Sequence, residues 1–195
     1  MTRVATNGPK GPQVKIALFG GSFNPPHLAH RQVVEYLKDL PDFDAVWIVP
    51  TFDHPFQKEL ASYPHRRRMC ELDFAGLGPK VKISDIEKEL KARPSYMINT
   101  LRALKKKNPD CQFAVVVGSD CREEMAEWKD PEALKREAAF LFVPRPGFEN
   151  SPFMDISSSR IRELIKAGKP VTKYLAPEVV EYIEKNGLYK TWVCI

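Results

Sequence analysis

The chain has 195 residues, of which 30 are Lys or Arg and 25 are Asp or Glu, so its formal net charge at pH 7 is +5. Hydrophobic residues make up 43% of it and charged residues 28%, which excludes a disordered, collagenous or coiled-coil chain. A chain of this length buries roughly 70% of the surface that its unfolded form exposes, so it needs no disulfide or metal to fold. The positive charge suits either nucleic acid or a pocket for small anions such as phosphates.

The sequence predicts a cytoplasmic protein without a membrane partner. No apolar stretch approaches the roughly 18 residues that cross a bilayer, and the first residues lack the apolar centre of a signal peptide. The cysteines form no CxxC pair, so we expect free thiols. They are Cys70, Cys111, Cys121 and Cys194.

Residues 1–13 are rich in Gly and Pro and poor in apolar residues, which predicts a flexible N-terminal tail. Residues 14–195 are predicted to form a single domain. Five apolar runs without polar alternation indicate buried strands, and helix-period segments lie between them. The runs are 14–19, 45–49, 81–84, 113–117 and 138–143.

This alternation predicts an α/β fold: a Rossmann-like, doubly wound parallel sheet of five or six strands with helices on both faces. Such a sheet places a ligand crevice at the carboxyl ends of its strands. Two further helices, one after residues 157–159 and one between Pro177 and Gly187, are predicted to form a small helical C-terminal part.

The first predicted strand leads into GGSFNPPHLAH, residues 20–30. Gly20 and Gly21 allow the backbone to approach a ligand, and the N-terminus of the following helix offers N–H groups and a positive dipole to phosphate. His27 and His30, three residues apart, are predicted to share one helix face and point into the crevice. An ordinary strand-to-helix turn is the alternative, and zinc would need a third ligand that no nearby residue supplies.

Near the C-terminus, Ser157, Ser158 and Ser159 precede an apolar-periodic run and are good N-cap candidates. Capping explains only one serine, so the three serines with Arg160 and Arg162 predict a second anion site. Solvent-exposed arginines are the alternative.

Residues 21–30 resemble the GxFxPxHxxH motif of the nucleotidyltransferase superfamily, and residues 156–162 resemble its ISSTxxR motif with Ser159 in place of Thr. The resemblance implies that residues 14–195 are a nucleotidyltransferase domain that joins a nucleotide to a phosphorylated acceptor and releases pyrophosphate. It implies an ATP site made of Gly20, Gly21, Ser22, Phe23, His30, Asp120, Ile156, Ser157, Ser158, Ser159 and Arg162.

Further segments resemble the nicotinate-nucleotide adenylyltransferases: residues 50–58, 94–101, 118–120 with Trp128, and 143–147. This resemblance implies adenylyl transfer from ATP to nicotinate mononucleotide in NAD biosynthesis, giving deamido-NAD and pyrophosphate, with Mg²⁺ bound together with ATP and no protein metal ligand. It assigns catalysis to His27, His30, Lys58 and Arg162. It assigns the nicotinate nucleotide to Lys58, Tyr96, Met97, Trp128 and Arg145.

Two of these residues, Asp120 and Trp128, can also be interpreted without the family resemblance. Asp120 closes a predicted strand, so its carboxylate can accept hydrogen bonds from a ribose in the crevice, or it can cap a helix. Trp128 is implied to stack on the pyridine ring, and a core or surface tryptophan is the alternative.

Gln57 replaces the family's histidine, and Met97 replaces a threonine found in many relatives. Both lie on the acceptor side, so nicotinamide mononucleotide and phosphopantetheine stay open as acceptors, although chain length and Trp128 speak against phosphopantetheine. A non-catalytic nucleotide- or nucleic-acid-binding protein is the remaining alternative. The basic triplets 66–68 and 105–107 lie among acidic residues and are predicted to be solvated helix faces, so no nucleic acid partner is expected. Both a monomer and a homo-oligomer stay open.

Overall fold

The computed structural model describes residues 13–56, 59–147 and 150–190. Within them, five parallel strands form one sheet in the order β3-β2-β1-β4-β5. The strands are β1 (Val14–Gly21), β2 (Ala45–Pro50), β3 (Val81–Ile83), β4 (Cys111–Gly118) and β5 (Ala139–Val143). The predicted doubly wound parallel sheet is confirmed, and each of the five apolar runs contains a strand.

Seven α-helices lie in the described ranges, and two 3₁₀ turns, Ser119–Cys121 and Glu124–Glu127, follow β4. The helices are α1 (Leu28–Asp39), α2 (Tyr63–Asp73), α3 (Ile86–Leu90), α4 (Met97–Lys107), α5 (Pro131–Glu137), α6 (Ser158–Lys166) and α7 (Pro177–Lys185). None of these helices is long and apolar enough to cross a membrane.

Alternate residues of β1 pack into separate cores on the two faces of the sheet, because successive side chains of a strand point in opposite directions. Ile16 and Leu18 pack in the core that includes residues of α3, α4 and α5. Ala17 and Phe19 pack in the core that includes residues of α1 and α2. Helices therefore cover both faces, as the sequence predicts.

The last two helices form a third core against α2, which confirms the predicted helical C-terminal part. Met69 of α2 packs there with Ile161 of α6 and with Val179 and Ile183 of α7. The predicted tail, apart from Gln13, lies outside the described residues, and so does Cys194.

Strands β2 and β3 lie on one side of β1, whereas β4 and β5 lie on the other side. The strand order therefore changes direction between β1 and β4. At the carboxyl ends, Gly21 of β1 is paired with Pro50 and Gly118 of β4 with Val143. Ligands of doubly wound sheets bind in the crevice at such a point.

Candidate active site

A cavity of about 840 Å³ opens at the carboxyl ends of the strands. Its volume falls within the range of small-molecule sites. Every described residue that the family resemblance assigned to catalysis or binding lines it, whereas Lys58 lies outside the described residues. These lining residues are Gly20, Gly21, Ser22, Phe23, His27, His30, Tyr96, Met97, Asp120, Trp128, Arg145, Ile156, Ser157, Ser158, Ser159 and Arg162. Arg160, which was expected beside Arg162 in the second anion site, does not line the cavity and pairs with Glu163 at the surface.

The two histidines lie in contact at the start of α1. Their rings stack with centroids 3.7 Å apart, and His27, which is 3% exposed, occupies the N-cap position. The backbone N–H of His27 donates to Nδ1 of His30 at 3.2 Å. Because Nδ1 of a neutral His30 accepts this bond, its proton is on Nε2, which makes Nε2–H a hydrogen-bond donor.

Both imidazoles are neutral near pH 7 in the free protein. Burial, with the positive charge of Arg145, lowers the pKa of His27 to about 3. Burial, with smaller effects of His27 and Arg145, lowers the pKa of His30 well below its usual value. A bound triphosphate would favour the protonated forms, because a nearby negative charge raises the pKa of a histidine.

The glycine loop, residues 20–26, is packed against protein side chains. A Cβ at position 20 would lie 2.9 Å from Cε of Met97, and a Cβ at position 21 would lie 3.2 Å from the ring of Phe23. Phe23 has a φ of 46° and is 1% exposed, so its ring fills the space beside Gly21. The sequence analysis explained these glycines by ligand approach or by an ordinary strand-to-helix turn, whereas the structure shows that they also make room for Met97 and Phe23.

The serines of the second motif fasten α6 to the glycine loop. Oγ of Ser157 accepts a hydrogen bond from the N–H of Arg160 at 3.2 Å, so Ser157 is the N-cap. Oγ of Ser158 donates to the carbonyl oxygen of Pro25 at 2.8 Å. The capping prediction is confirmed for Ser157, while Ser158 binds the loop that leads to the histidines.

Arg162 connects the same two segments from the next turn of α6. Its Nη1 donates to the carbonyl oxygen of Asn24 at 2.9 Å, and its Nη2 donates to Oγ of Ser159 at 3.2 Å. Arg162 lines the cavity and is half-buried. The guanidinium therefore holds the loop and also places a positive charge at the cavity wall.

Asp120 and Arg145, which both line the cavity, form an ion pair with 3.1 Å between Oδ2 and Nε. The 3₁₀ turn after β4 carries Asp120, and Gly118 occupies its N-cap position, so the alternative that Asp120 caps a helix is wrong. A Cβ at Gly118 would collide with Oδ1 of Asp120, so a larger residue there would require the Asp120 side chain to move. The sequence analysis assigned these two residues to different substrates, and the structure brings them together.

The acceptor-side residues come from α4 and from the segment after β4. Tyr96 is the N-cap of α4 and Met97 is its first residue. Trp128 directly follows the second 3₁₀ turn, lines the cavity and also packs against the core that includes residues of α4. Trp128 therefore lies at the cavity and against the core, and its stacking on a pyridine ring stays a prediction.

Known proteins are similar to this chain in sequence and in fold. The cytidylyltransferase-like family matches residues 18–164. A probable nicotinate-nucleotide adenylyltransferase of Anaeromyxobacter dehalogenans is 37% identical over 182 residues, which cover 90% of this chain and 97% of the relative. Another, of Myxococcus xanthus, is 32% identical over 183 residues, which cover 91% and 96%. The chain belongs to the nicotinate-nucleotide adenylyltransferase family.

A solved structure supports the fold of this family member. Plasmodium falciparum nicotinic acid mononucleotide adenylyltransferase complexed with NaAD superimposes with a TM-score of 0.79 at 24% sequence identity. The superposition covers 90% of this chain and 97% of that one. At this identity the likeness concerns the fold alone.

The sequence analysis of this adenylyltransferase family member missed buried charged and polar groups behind the cavity. Arg66 was expected on a solvated face, which is wrong, because it is 1% exposed and binds backbone carbonyls. Glu87 is also buried, although its sequence context is a charged helix. The other two arginines of the triplet pair with acids: Arg67 with Asp85 and Glu71, and Arg68 with Glu71. The local signal that could have found Arg66 is helical spacing, because Tyr63 lies three residues before it and Met69 and Cys70 lie three and four after it on the same face.

In the part of the chain that the structure describes, no group of three or more His, Cys, Asp or Glu side chains could hold a metal ion. His27 and His30 therefore have no third ligand of these types among the described residues. The pair lies instead where the family motif predicts contacts with phosphate.

Proposed function

We propose that this protein transfers the adenylyl group of ATP to nicotinate mononucleotide, giving deamido-NAD and pyrophosphate in NAD biosynthesis. The observation that carries the proposal is that one cavity joins both phosphate motifs to the acceptor-side residues Tyr96, Met97 and Trp128. Membership of the nicotinate-nucleotide adenylyltransferase family supports the same reaction.

The proposed step needs no protein nucleophile. An anionic phosphate oxygen of nicotinate mononucleotide attacks the α-phosphorus of ATP and forms the new P–O bond. The bond from the α-phosphorus to the oxygen that bridges the α- and β-phosphorus atoms breaks, and pyrophosphate leaves with that oxygen and its electron pair. The protein therefore acts by in-line positioning and by stabilising negative charge.

Three cationic or donor groups on the cavity wall suit this role. The Nε2–H of His30 is the donor left free by the bond at Nδ1. Arg162 and Arg145 place positive charge on the same wall. We also assign Lys58 to the phosphates, from the family resemblance. Since binding of a polyanion raises the pKa values of the histidines, their charge would increase as the substrate binds.

We assign Mg²⁺ to the oxygen atoms of ATP, because the ion keeps several waters and binds phosphate through few protein ligands. When bound, the cation neutralises charge on the phosphate oxygens. The carboxylate that Asp120 presents at the cavity wall is paired with Arg145. The chain's own contribution at the phosphates is therefore mainly donors and positive charge.

The acceptor side favours a pyridine carboxylate. The N-terminal end of α4 lines the cavity through Tyr96 and Met97, and helix N-termini favour negative groups. Trp128 supplies an aromatic surface on which a pyridine ring can stack. Nicotinamide mononucleotide would gain less from the helix end, because its amide is uncharged.

The basic triplets support a small-anion substrate over nucleic acid. Arg67 pairs with Asp85 at 2.7 Å, Arg68 pairs with Glu71, and Lys107 pairs with Glu89. Pairing of this kind neutralises positive charge that nucleic acid would need. We keep a cytoplasmic location as part of the proposal.

The test is pyrophosphate release with ATP and Mg²⁺, measured in parallel with nicotinate mononucleotide, nicotinamide mononucleotide and phosphopantetheine. We expect the nicotinate nucleotide to be preferred and a His27→Ala variant to lose about 100-fold or more of kcat/KM. His65→Ala is the matched control, because His65 lies on α2 and contacts Tyr182 of α7, away from the cavity. Preference for another acceptor, or equal loss in both variants, would contradict the proposal.

A further inference from the structure

Arg66 of α2 contacts three backbone carbonyls that belong to two separate loops. Its Nε donates to the carbonyl oxygen of Ala61 at 2.8 Å, and its Nη1 donates to that of Ser22 at 2.8 Å. Its Nη2 lies 3.5 Å from the carbonyl oxygen of Phe52. A guanidinium can do this because its donors are fixed in one plane and point in different directions, unlike the ammonium of lysine.

These carbonyls belong to two neighbouring loops, each of which contributes residues to the cavity lining. Ser22 is part of the glycine loop on the ATP side. Phe52 and Ala61 stand at the two ends of the β2–α2 connection, which we call the acceptor loop and define by its described residues 51–56 and 59–61. Arg66 itself lies outside the cavity lining, so it acts on the site through these backbone groups.

The two ends of the acceptor loop are held by further buried side chains. The N–H of Phe52 donates to Oε2 of Glu87 at 2.9 Å, and Glu87 is 5% exposed. The N–H of Ala61 donates to Oδ1 of Asn24 at 3.0 Å, and Asn24 is 2% exposed. The N–H and the carbonyl of Phe52 therefore face a buried carboxylate and a buried guanidinium.

Burial of an arginine is costly unless its donors are satisfied. Arg67 and Arg68 of the same helix pair with acidic side chains, but the hydrogen bonds of Arg66 go to loop backbone instead. Backbone carbonyls held in this way fix where the two loops lie relative to each other. In-line attack depends on such placement, since a displacement of about 1 Å can cost about 100-fold in rate.

We propose that Arg66 is a positioning residue that sets the distance between the glycine loop and the acceptor loop. The inference rests on the proposed function, because it takes the two loops to hold the two substrates of one reaction. It adds a residue that contacts neither substrate and still determines the rate.

The first test compares Arg66→Lys with Arg68→Lys, whose position is exposed on the same helix and pairs with Glu71. Well below the melting temperature, we expect Arg66→Lys to lower kcat and to raise the KM for nicotinate mononucleotide, with kcat/KM falling at least about tenfold. Arg68→Lys should stay within about twofold of the wild type. A lower Tm with unchanged kcat and KM would make Arg66 a purely structural residue and overturn the proposal.

The second test is amide hydrogen exchange at Phe52 and Ala61 in the ligand-free protein, which reports the loop ends without any activity. Arg66→Lys should speed exchange at both amides relative to Arg68→Lys, and equal exchange in the two variants would overturn the proposal. If the wild type transfers nothing to nicotinate mononucleotide, the proposed function fails and exchange alone decides the inference.

Glu87→Gln is the second variant, should Arg66→Lys fail to fold. In the wild type, the two carboxylate oxygens of Glu87 accept hydrogen bonds from Phe52 and Thr100. The amide that replaces the carboxylate has only one acceptor oxygen, so this variant weakens the hold on the N–H of Phe52, whereas Arg66→Lys weakens the hold on its carbonyl. We expect faster exchange at Phe52 together with a lower kcat. Faster exchange with kcat and KM at wild-type values would show that the loop ends do not govern the reaction.

Discussion

His27 and His30 can gain a positive charge when a negatively charged substrate binds. They are neutral in the free protein because burial lowers both pKa values, that of His27 to about 3. Arg145 adds to this effect while it is paired with Asp120. A negatively charged substrate would raise the pKa values of both histidines, since it stabilises the imidazolium forms.

Binding of a non-hydrolysable ATP analogue with Mg²⁺ should therefore take up protons near pH 7. The sign follows from the pKa values, which start low in the free protein and rise in the complex. Calorimetric titration in two buffers of different ionisation enthalpy measures this uptake. The uptake should be smaller in His27→Ala, and proton release by the wild type would contradict the electrostatic account.

Asp73, at the end of α2, has a buried carboxyl group that makes the stability of the protein depend on pH. Neither of its oxygens has a hydrogen-bond partner among the described residues, and burial raises its pKa to about 7, partly offset by Arg31. The folded protein therefore binds a proton that the unfolded chain releases above a pKa of 3.8. Stability falls as the pH rises from about 4 to about 7, because the folded state holds more protons there.

Asp73→Asn should remove this dependence, because the amide is neutral at every pH. The free energy of unfolding of the variant minus that of the wild type should be larger at pH 8 than at pH 5 by about 2 to 3 kcal/mol, so the variant gains relative stability as the pH rises. Urea denaturation at the two pH values measures it. Asp42→Asn, at an exposed position, is the control, and a relative stability of Asp73→Asn that does not change with pH would contradict the burial argument.

At the scale of elements, α6 acts as a support for the glycine loop. Ser158 binds the carbonyl of Pro25 and Arg162 binds that of Asn24. The second motif thus positions the first one, although more than a hundred residues separate them in sequence. Its helix is also anchored by Ile161 in the C-terminal core.

Ser158→Ala should lower kcat/KM for ATP about fivefold, because a hydrogen bond of about 1 kcal/mol that fixes the loop is lost. Initial rates at varied ATP concentration test this. Ser84→Ala is the control, since Ser84 binds the N–H of Ile86 outside the cavity lining and should affect stability only. An ATP dependence of Ser158→Ala equal to that of the wild type would show that α6 does not support the loop.

The elements were predictable because their signals are local. Apolar runs of β1 to β5 and the serines before α6 could be recognised within a few residues. The bonds of Arg66 were not, because Ser22 lies 44 residues away in sequence. The burial of Glu87, whose partner Phe52 lies 35 residues away, was hidden for the same reason.

The whole molecule brings the residues assigned to the two proposed nucleotide sites together in one cavity, at the change in strand direction. One side is built from β1, α1 and α6, and the other from α4 and the segment after β4, with one cavity between them. The sequence predicted this arrangement from the sheet type and the two motifs. It did not predict that Arg145 pairs with Asp120 or that Arg66 binds the glycine loop and the acceptor loop, because those contacts depend on the folded chain.

AMP and nicotinate mononucleotide should therefore bind at the same time, and deamido-NAD should bind more tightly than either. At equal concentration, the dinucleotide should raise the Tm most, since stabilisation increases with affinity. Thermal unfolding with each ligand, and with both mononucleotides together, measures this. Competition between the two mononucleotides would contradict a shared cavity with two sites.

The most direct test of the central claim follows ATP labelled with radioactive phosphorus at the α position, incubated with nicotinate mononucleotide and Mg²⁺. We predict that the label passes into deamido-NAD in equal amount to the pyrophosphate released and that none stays on the protein. Label recovered as AMP alone, or bound covalently to the protein, would contradict direct adenylyl transfer in this cavity.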